Sequence, residues 1–312
     1  MTLEQLRIFV AVAEHEHVTQ AARNLNLTQS ATSAAIGALE TRYQTKLFDR
    51  IGRRIALTEV GRLFLNEAKA VLQRAGAAET MLADFAGLKQ GALSLAASQT
   101  VGNYWLPRLL HSYRSRYPGI ALSLSLGNTE TVAALVHDGE ASLGFIEGQI
   151  DDPVLVVHPV AEDRLVLVVA ADHPWACKPP KSPEDFRTAS WVCRERGSGT
   201  RSILEAALPA LGIAREDLRI ALELPSNEAV CAAVEAGAGA TIISRLVAER
   251  ALVAGLLVAI ATDLPRRNFS ILRHKECYVT VASSAFVDLV AQTFSRSADS
   301  SNLAAVSPLG VA

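Results

Sequence analysis

Leu47-Phe48-Asp49-Arg50-Ile51-Gly52-Arg53-Arg54-Ile55-Ala56-Leu57-Thr58 is the stretch on which the fold turns. Two short β-prone pieces flank Gly52, which suits a hairpin tip. Three arginines, Arg50, Arg53 and Arg54, crowd that tip. Arginine placed there can reach phosphates or a narrow minor groove, where negative potential concentrates. An isolated RxxRR run is more often a solvated charged loop. What precedes it decides otherwise.

Working back from the hairpin, Leu3, Leu6, Ile8, Phe9, Val12 and Ala13 form the apolar stripe of a first helix. Ala21, Ala22 and Leu25 mark a short second helix, followed by the polar turn Asn24-Leu25-Asn26-Leu27. Thr28 then sits at an N-cap position. In the third helix Ile36, Leu39 and Tyr43 share one face, and Ser30, Ser33, Ala34 and Gly37 the opposite one. Two helices joined by a tight turn, the second polar near its start, make a helix-turn-helix. Gln29, Ser30 and Ser33 lie where side chains meet base edges and phosphates, and Thr28 can cap the helix and touch a phosphate at once. Residues 1–57 carry seven Lys/Arg against five Asp/Glu, weakly basic, which fits several such modules per DNA site.

Working forward, residues 58–88 contain no proline and repeat apolar positions at Phe64, Ala68, Val71, Ala75, Ala78, Leu82 and Phe85. Steps of four and three make a heptad seam whose alanines admit a close partner helix. The alternative is packing against its own domain; the position between two domains favours self-association. From Leu93 the texture changes to alternating strands and helices. Leu93–Ala97, Ile120–Leu126, Ser142–Ile146, Val154–Val160, Leu165–Ala170, Trp191–Cys193, Ile220–Leu224 and Thr241–Ile243 are β-rich. That rhythm predicts a parallel, doubly wound α/β architecture, and about 200 residues suit two lobes. The expected division is 1–57 DNA-binding, 58–88 linker helix, 91–163 with 265–295 as lobe I, 164–264 as lobe II, and a flexible Ser/Ala-rich tail at 296–312.

Taken together, Leu3-Glu4-Gln5-Leu6-Arg7-Ile8-Phe9, Gln20-Ala21-Ala22, Thr28-Gln29-Ser30-Ala31-Thr32-Ser33, Leu39-Glu40, Leu47-Phe48-Asp49-Arg50, Arg53-Arg54, Leu57-Thr58 and Gly61 resemble the N-terminal domain of LysR-type transcriptional regulators. The resemblance extends over nearly the whole chain. It implies an N-terminal all-α winged helix-turn-helix plus long linker helix, and a C-terminal α/β two-lobed domain like periplasmic binding proteins. It also implies double-stranded DNA with a dyad-symmetric operator as partner, a homodimer or homotetramer, and RNA polymerase as a further partner. One departure from the family stands out: Ala34, Ala35 and Gly37 occupy the middle of the third helix, where basic or amide residues are common.

In open α/β folds ligands bind beyond the C-terminal strand ends. Those ends carry Ser98-Gln99-Thr100, Asn128-Thr129, Glu147-Gly148, Glu195 and the Gly197-Ser198-Gly199-Thr200-Arg201 run. Each hydroxyl alone is more often a helix cap; convergence on one cleft makes Ser98, Gln99, Thr100, Asn128, Thr129, Glu147, Glu195, Gly199, Thr200 and Arg201 the expected effector residues. Ala97-Ser98-Gln99-Thr100, Gly144-Phe145-Ile146-Glu147-Gly148 and the Gly197–Arg201 run resemble the subgroup controlling sulfur assimilation or carbon fixation, which implies a small anion. Glu147 and Glu195 then need pairing with Arg194, Arg196 or Arg201, a proton, or a cationic group on the ligand.

Other classes find little support. Scattered histidines lack a GxSxG-type nucleophile, so no catalytic residue is expected. Cys177, Cys193, Cys231 and Cys277 have no zinc spacing, so no metal or cofactor is expected, and they read as reduced, mostly buried thiols. The Gly197–Arg201 loop lacks the P-loop Lys-Ser/Thr and the dinucleotide fingerprint. The opening Met1-Thr2-Leu3-Glu4 has no signal-peptide character and no stretch is long enough to span a bilayer, so a cytoplasmic protein without membrane contact is expected.

Overall fold

The structure is a computed structural model that describes residues 1–51, 54–84 and 91–303. The chain divides into two compact units, Met1–Phe85 and Ala86–Ala312.

In the first unit α1 (Leu3–His15), α2 (Val18–Asn24) and α3 (Gln29–Tyr43) surround Leu6, Phe9, Val12, Ala21, Ile36 and Leu39. A capping box starts α1, with Thr2 and Gln5 each accepting from the other's backbone N–H. Tyr43 leaves the face that periodicity gave it and is 53% exposed. The helix ends at Tyr43, and Gln44 turns into the left-handed region at φ 49°, so this last side chain has no core beneath it. Strands β1 (Phe48–Ile51) and β2 (Arg54–Leu57) pair antiparallel, and α4 (Glu59–Asp84) follows.

The heptad seam along α4 is split. Phe64 and Ala68 turn inward onto the core, the Phe64 ring tilted against Phe9 with centroids 4.8 Å apart, so the first part of the seam serves the protein's own domain. Leu72 joins them one turn on. Val71 and Leu82 stay exposed, as do Val60, Leu63 and Met81. Phe85 lies outside the described residues.

The second unit has two lobes. In lobe I, β3 (Gly91–Ser98), β4 (Ile120–Gly127), β5 (Leu143–Glu147), β6 (Leu155–Asp163) and β12 (Arg267–His274) form one sheet in the order β4-β3-β5-β12-β6. A π-helical turn (Val101–Trp105) leading into α5 (Leu106–Arg116), then α6 (Thr129–His137) and α12 (Val281–Leu303), cover it. In lobe II, β7 (Leu165–Ala170), β10 (Thr241–Ser244) and β11 (Leu257–Ile260) join in the order β10-β7-β11. Beside them β8 (Trp191–Arg194) pairs with β9 (Ile220–Leu224), linked by a bridge from Trp191 to Ala240. The lobe's helices are α7 (Pro174–Cys177), α8 (Pro183–Thr188), α9 (Gly199–Ala207), α10 (Asn227–Glu235) and α11 (Arg245–Val253).

The sheets are mixed, where βαβ rhythm alone predicts parallel. β3 runs parallel to β4 and β5, but β12 is antiparallel to β5 and β6, and β7 to β10 and β11. The chain crosses between lobes twice, at 163–165 and before Arg267, and the crossing strands enter each sheet without a covering helix to reverse them. A second difference is at the end of the chain. α12 runs through Leu303, past residue 296 where the flexible tail was expected to begin. Phe286 and Val290 are buried and Phe294 stacks on Trp105 at 5.0 Å, so a packed helix already exists for good helix formers such as Ala298 to extend.

Candidate functional site

The N-terminal end of α3 is built by its cap. Thr28 Oγ1 accepts from Ala31 N at 3.2 Å and lies 3.1 Å from Ser30 Oγ. Gln29 Nε2 donates to Ser33 Oγ at 3.1 Å. Thr28, Gln29 and Ser30 are exposed and Ser33 half-buried, so all four expected residues gather on one polar end. Beyond them the outer face offers Ala31, Ala34 and Ala38, all exposed. Below, Thr32 is buried and its hydroxyl bonds back to Thr28 O at 3.1 Å.

The hairpin is fixed to this helix by one carboxylate. Glu40 accepts from Leu47 N (2.8 Å), Phe48 N (3.2 Å) and Lys46 Nζ (3.0 Å). Burial pushes its pKa up, but these three donors outweigh it and hold the group below its usual value. From the other side Thr58 Oγ1 donates to Lys46 O at 2.8 Å, and any side chain at Gly61 would meet Leu47 O at 2.1 Å. Arg50 and Arg54 therefore ride on strands anchored at their base, opposite Ile55 and Ile51 in register. Arg53 lies outside the described residues.

In the second unit the strand ends converge as the expected residues require. Ser98 closes β3 and Glu147 closes β5, and the Ser98 hydroxyl donates to Glu147 Oε2. Thr129 Oγ1 donates to Glu147 O at 2.8 Å. Across from it α9 begins so close that a Cβ on Gly199 would lie 1.9 Å from that same carbonyl. Only glycine permits this approach. Gln99 and Thr100 reach the other lobe: Gln99 Nε2 donates to Pro225 O (2.9 Å), Asn227 N donates to Gln99 Oε1 (3.1 Å), and Asn227 Nδ2 donates to Thr100 Oγ1 (2.9 Å). Tyr104, in the π-helical turn, donates to Glu228 Oε1 at 2.9 Å. Burial and that neighbouring carboxylate push the phenol well above its usual range.

The two carboxylates are treated differently. Glu195 is paired: Arg194 Nε donates to Oε2 at 2.7 Å and Nη2 to Oε1 at 2.9 Å, while Asn128 Nδ2 adds a 3.4 Å contact. Glu147, 1% exposed, has no arginine partner among the described residues. Arg201 does not join the cleft. Its guanidinium is engaged within lobe II by Glu205 (2.5 Å), Glu223 (3.2 Å) and the Arg194 carbonyl (3.1 Å), because the turn of helix between Thr200 and Arg201 points the two side chains apart.

Thr200 is the most telling member. It is 3% exposed and its Oγ1 has no hydrogen-bond partner. It stands at the start of α9, whose N-cap Ser198 makes no side-chain cap. The leading N–H groups of that helix, its positive dipole end and a buried hydroxyl thus all await an acceptor. Asn227, which sequence reasoning left out of the site, is fully buried and accepts from Arg194 Nη1 at 2.6 Å, while Arg194, expected only as a carboxylate's partner, thus also holds this cap. The Ser226-Asn227 cap signal could have found Asn227. Among the described residues no group of three His, Cys, Asp or Glu side chains could hold a metal. Of the cysteines, Cys193 and Cys231 are buried, burial pushing their thiols up to about 11 and about 12, whereas Cys177 is exposed.

A helix-turn-helix with an anchored hairpin on one unit, and a polar two-lobed cleft on the other, define a ligand-responsive DNA-binding regulator. Residues 3–62 match the bacterial regulatory helix-turn-helix domain of the lysR family, and residues 86–295 match the LysR substrate binding domain. The chain belongs to the LysR family of transcriptional regulators and is not an enzyme. It is 37% identical over 290 residues to YeiE, an uncharacterized HTH-type transcriptional regulator of Escherichia coli (strain K12), covering 92% of this chain and 96% of that one. It is 32% identical to a probable RuBisCO transcriptional regulator of Cyanophora paradoxa, over 94% of this chain and 92% of the other. In fold it resembles full-length CbnR complexed with its target DNA, with a TM-score of 0.68 and 24% identity over 94% of this chain and 100% of that one. It also resembles the Synechocystis CcmR regulatory domain in complex with 2-PG, with a TM-score of 0.58 and 28% identity over 65% of this chain and 97% of that one. No described helix is long and apolar enough to cross a membrane.

Proposed function

We propose that this regulator senses a small anion in the cleft between lobes I and II and converts its arrival into a change in the geometry of a DNA-bound oligomer. The observation that carries the reading is the start of α9: an uncapped helix N-terminus with the partnerless, buried Thr200 hydroxyl. Direct hydrogen bonds across the cleft, from Gln99 and Thr100 to Pro225 and Asn227, supply the two-state element. A ligand that wedges between the lobes or tightens them shifts that equilibrium by its differential affinity.

On the DNA side, Thr28, Gln29, Ser30 and Ser33 meet the major groove of a dyad-related half-site, and Arg50, Arg53 and Arg54 the phosphates or minor groove. The exposed methyls of Ala31, Ala34 and Ala38 leave direct base readout sparse, which favours shape readout. Val60, Leu63, Val71, Met81 and Leu82 form an exposed apolar strip on α4, suited to pairing with a second copy, as a dimer or within a tetramer. The protein acts in the cytoplasm, with RNA polymerase as the downstream partner.

Calorimetry with sulfite, sulfate, phosphate and short carboxylates, followed by DNase footprinting with and without the binder, tests this. Heat with at least one anion and an altered footprint are expected. No heat with any of them removes the anion; binding with an unchanged footprint removes the geometric switch.

A further inference from the structure

Among the described residues the sensor unit holds four clusters of buried apolar side chains, two in each lobe. Leu93, Phe145 and Phe286 belong to lobe I, and Trp191, Val230 and Ile243 to lobe II. One described side chain crosses the division. Tyr104 starts from lobe I and packs against the lobe II cluster that holds Val230, Cys231 and Val247. Its hydroxyl donates to Glu228 Oε1 on α10 at 2.9 Å, and Asn103 Nδ2 donates to the same oxygen at 3.3 Å.

The backbone is shaped for this crossing. Tyr104 lies in the π-helical turn Val101–Trp105, entered directly from Ser98-Gln99-Thr100 at the end of β3. Val101 is buried in the lobe I core, and Trp105 packs there too, its ring stacked on Phe294. A Cβ on Gly102 would lie 2.3 Å from Leu126 Cδ2, so the turn is pressed onto the sheet and only glycine fits. A π-turn closes i→i+5 bonds and so accommodates an extra residue; such turns recur at functional sites. Here the neighbours Tyr104 and Trp105 serve different lobes.

Parting the lobes breaks the hydrogen bonds of Gln99, Thr100 and Tyr104, each exchanged for a bond to water at small net cost. Drawing an aromatic ring out of an apolar socket has no such replacement. We infer that Tyr104 is the joint between the lobes: a ring seated in a lobe II socket and steadied by Glu228, whose withdrawal opens the effector cleft. It acts through the lobes, as a positioning residue. The turn follows Ser98-Gln99-Thr100 without a break, so a ligand at the end of β3 acts on the joint at short range.

Asn227 N–H reports on this joint. It stands at the first position of α10, where a helix offers no internal partner, and its bond is to Gln99 Oε1 of lobe I. Its exchange with deuterium therefore follows lobe opening. Val230 N–H, bonded to Ser226 O at the head of the same helix, follows the helix itself. Residue-resolved exchange is measured on the full-length protein without added ligand. Tyr104→Ala is expected to speed Asn227 N–H by about 100-fold, with Val230 N–H within about twofold of wild type. Tyr104→Phe keeps the ring and loses only the hydroxyl bond, and is expected to speed it about fivefold. An Asn227 rate in Tyr104→Ala within about twofold of wild type overturns the proposal. So does a Phe variant as fast as the Ala variant, which leaves the ring no role. Equal acceleration of Val230 overturns it as well, since α10 is then melting and not parting from lobe I. Should Tyr104→Ala fail to fold, Tyr104→Val takes its place under the same limits, with about 30-fold expected. None of these readings depends on which anion binds, so the joint and the anion reading stand or fall separately.

Discussion

The two units handle their polar groups in opposite ways. In the DNA-binding unit Thr32 is the one buried polar side chain among the described residues, and its hydroxyl is met by the Thr28 carbonyl. Thr28, Gln29, Ser30 and Ser33 sit at or near the surface at the start of α3, bonded to one another. In the sensor unit Ser98, Thr100, Thr129, Glu147, Asp163, Arg194, Ser198, Thr200, Asn227 and Arg267 are all buried, most of them at strand ends where the two lobes meet. A surface that must meet a large polyanion can leave its groups in water until contact. A site that must hold a small molecule has to desolvate its groups in advance and keep them fixed by neighbours. Apolar packing therefore sets the stability of the first unit, while polar pairing sets the conformation of the second.

Substitutions that respect or cross that divide should behave accordingly. The largest effect is expected from Phe9→Ala, which empties a fully buried site between Phe48 and Phe64. A loss of about 4 kcal/mol is expected in denaturant unfolding of the N-terminal unit, with the sensor transition unmoved. A shift of both transitions together would show that the units are not energetically separate. Next comes Asn227→Ala, which strands Thr100 and Arg194 in a dry seam while the backbone N–H keeps its bond to Gln99. About 3 kcal/mol of sensor stability should go, and small-angle scattering of the full chain should detect lobe opening. Compact lobes in that variant would mean that the seam is held by something other than its polar bonds.

Glu40→Gln is expected to cost about 1.5 kcal/mol at pH 7 by weakening the hold on Leu47, Phe48 and Lys46. Because the folded-state pKa of Glu40 is depressed, its contribution is present above the usual carboxylate value and is lost as pH falls through the folded value. Wild type and variant should therefore converge in stability in acid; a constant gap at every pH would assign the effect to shape, not charge. Smallest is Thr28→Ala, which removes the α3 cap. About 1 kcal/mol is expected in unfolding, with a further loss of operator affinity in gel shift. Unchanged affinity would take Thr28 off the DNA surface.

The first unit was the more legible of the two because its signals are local. The α1 stripe, the Thr28 cap and the Gly52 hairpin each act within a few residues, and chain-local periodicity reports them. Tyr43 was misplaced because periodicity does not say where the core ends. The seam of α4 divided for a related reason. Its inward and outward apolar residues share one spacing, and only the position of Phe9 reveals that Phe64 belongs inside. In the sensor unit the strand-end residues were legible as a set, since α/β folds place ligands there. Arg201 parts from Thr200, its guanidinium bonded to Glu205 and Glu223, because neighbours on a helix lie about 100° apart. The strand β12, which carries Arg267, was not among those the sequence marked. Its segment, Arg267-Asn268-Phe269-Ser270-Ile271-Leu272, was not recognised as the strand that returns from lobe II to pair with β5 and β6.

By itself, then, the order of residues determined the helix-turn-helix, the hairpin, the βαβ texture, the family and the hydroxyls at the strand ends of the second unit. These follow from spacing, capping and turn chemistry over short distances. Which buried charges find partners was decided only by the tertiary fold. Asp163 meets Arg267, 104 residues on, and Glu147 meets no cation among the described residues, because residues far apart in the chain are brought into register by strand pairing. Electrostatic pairing depends on distance in space, and no pattern along the chain records it.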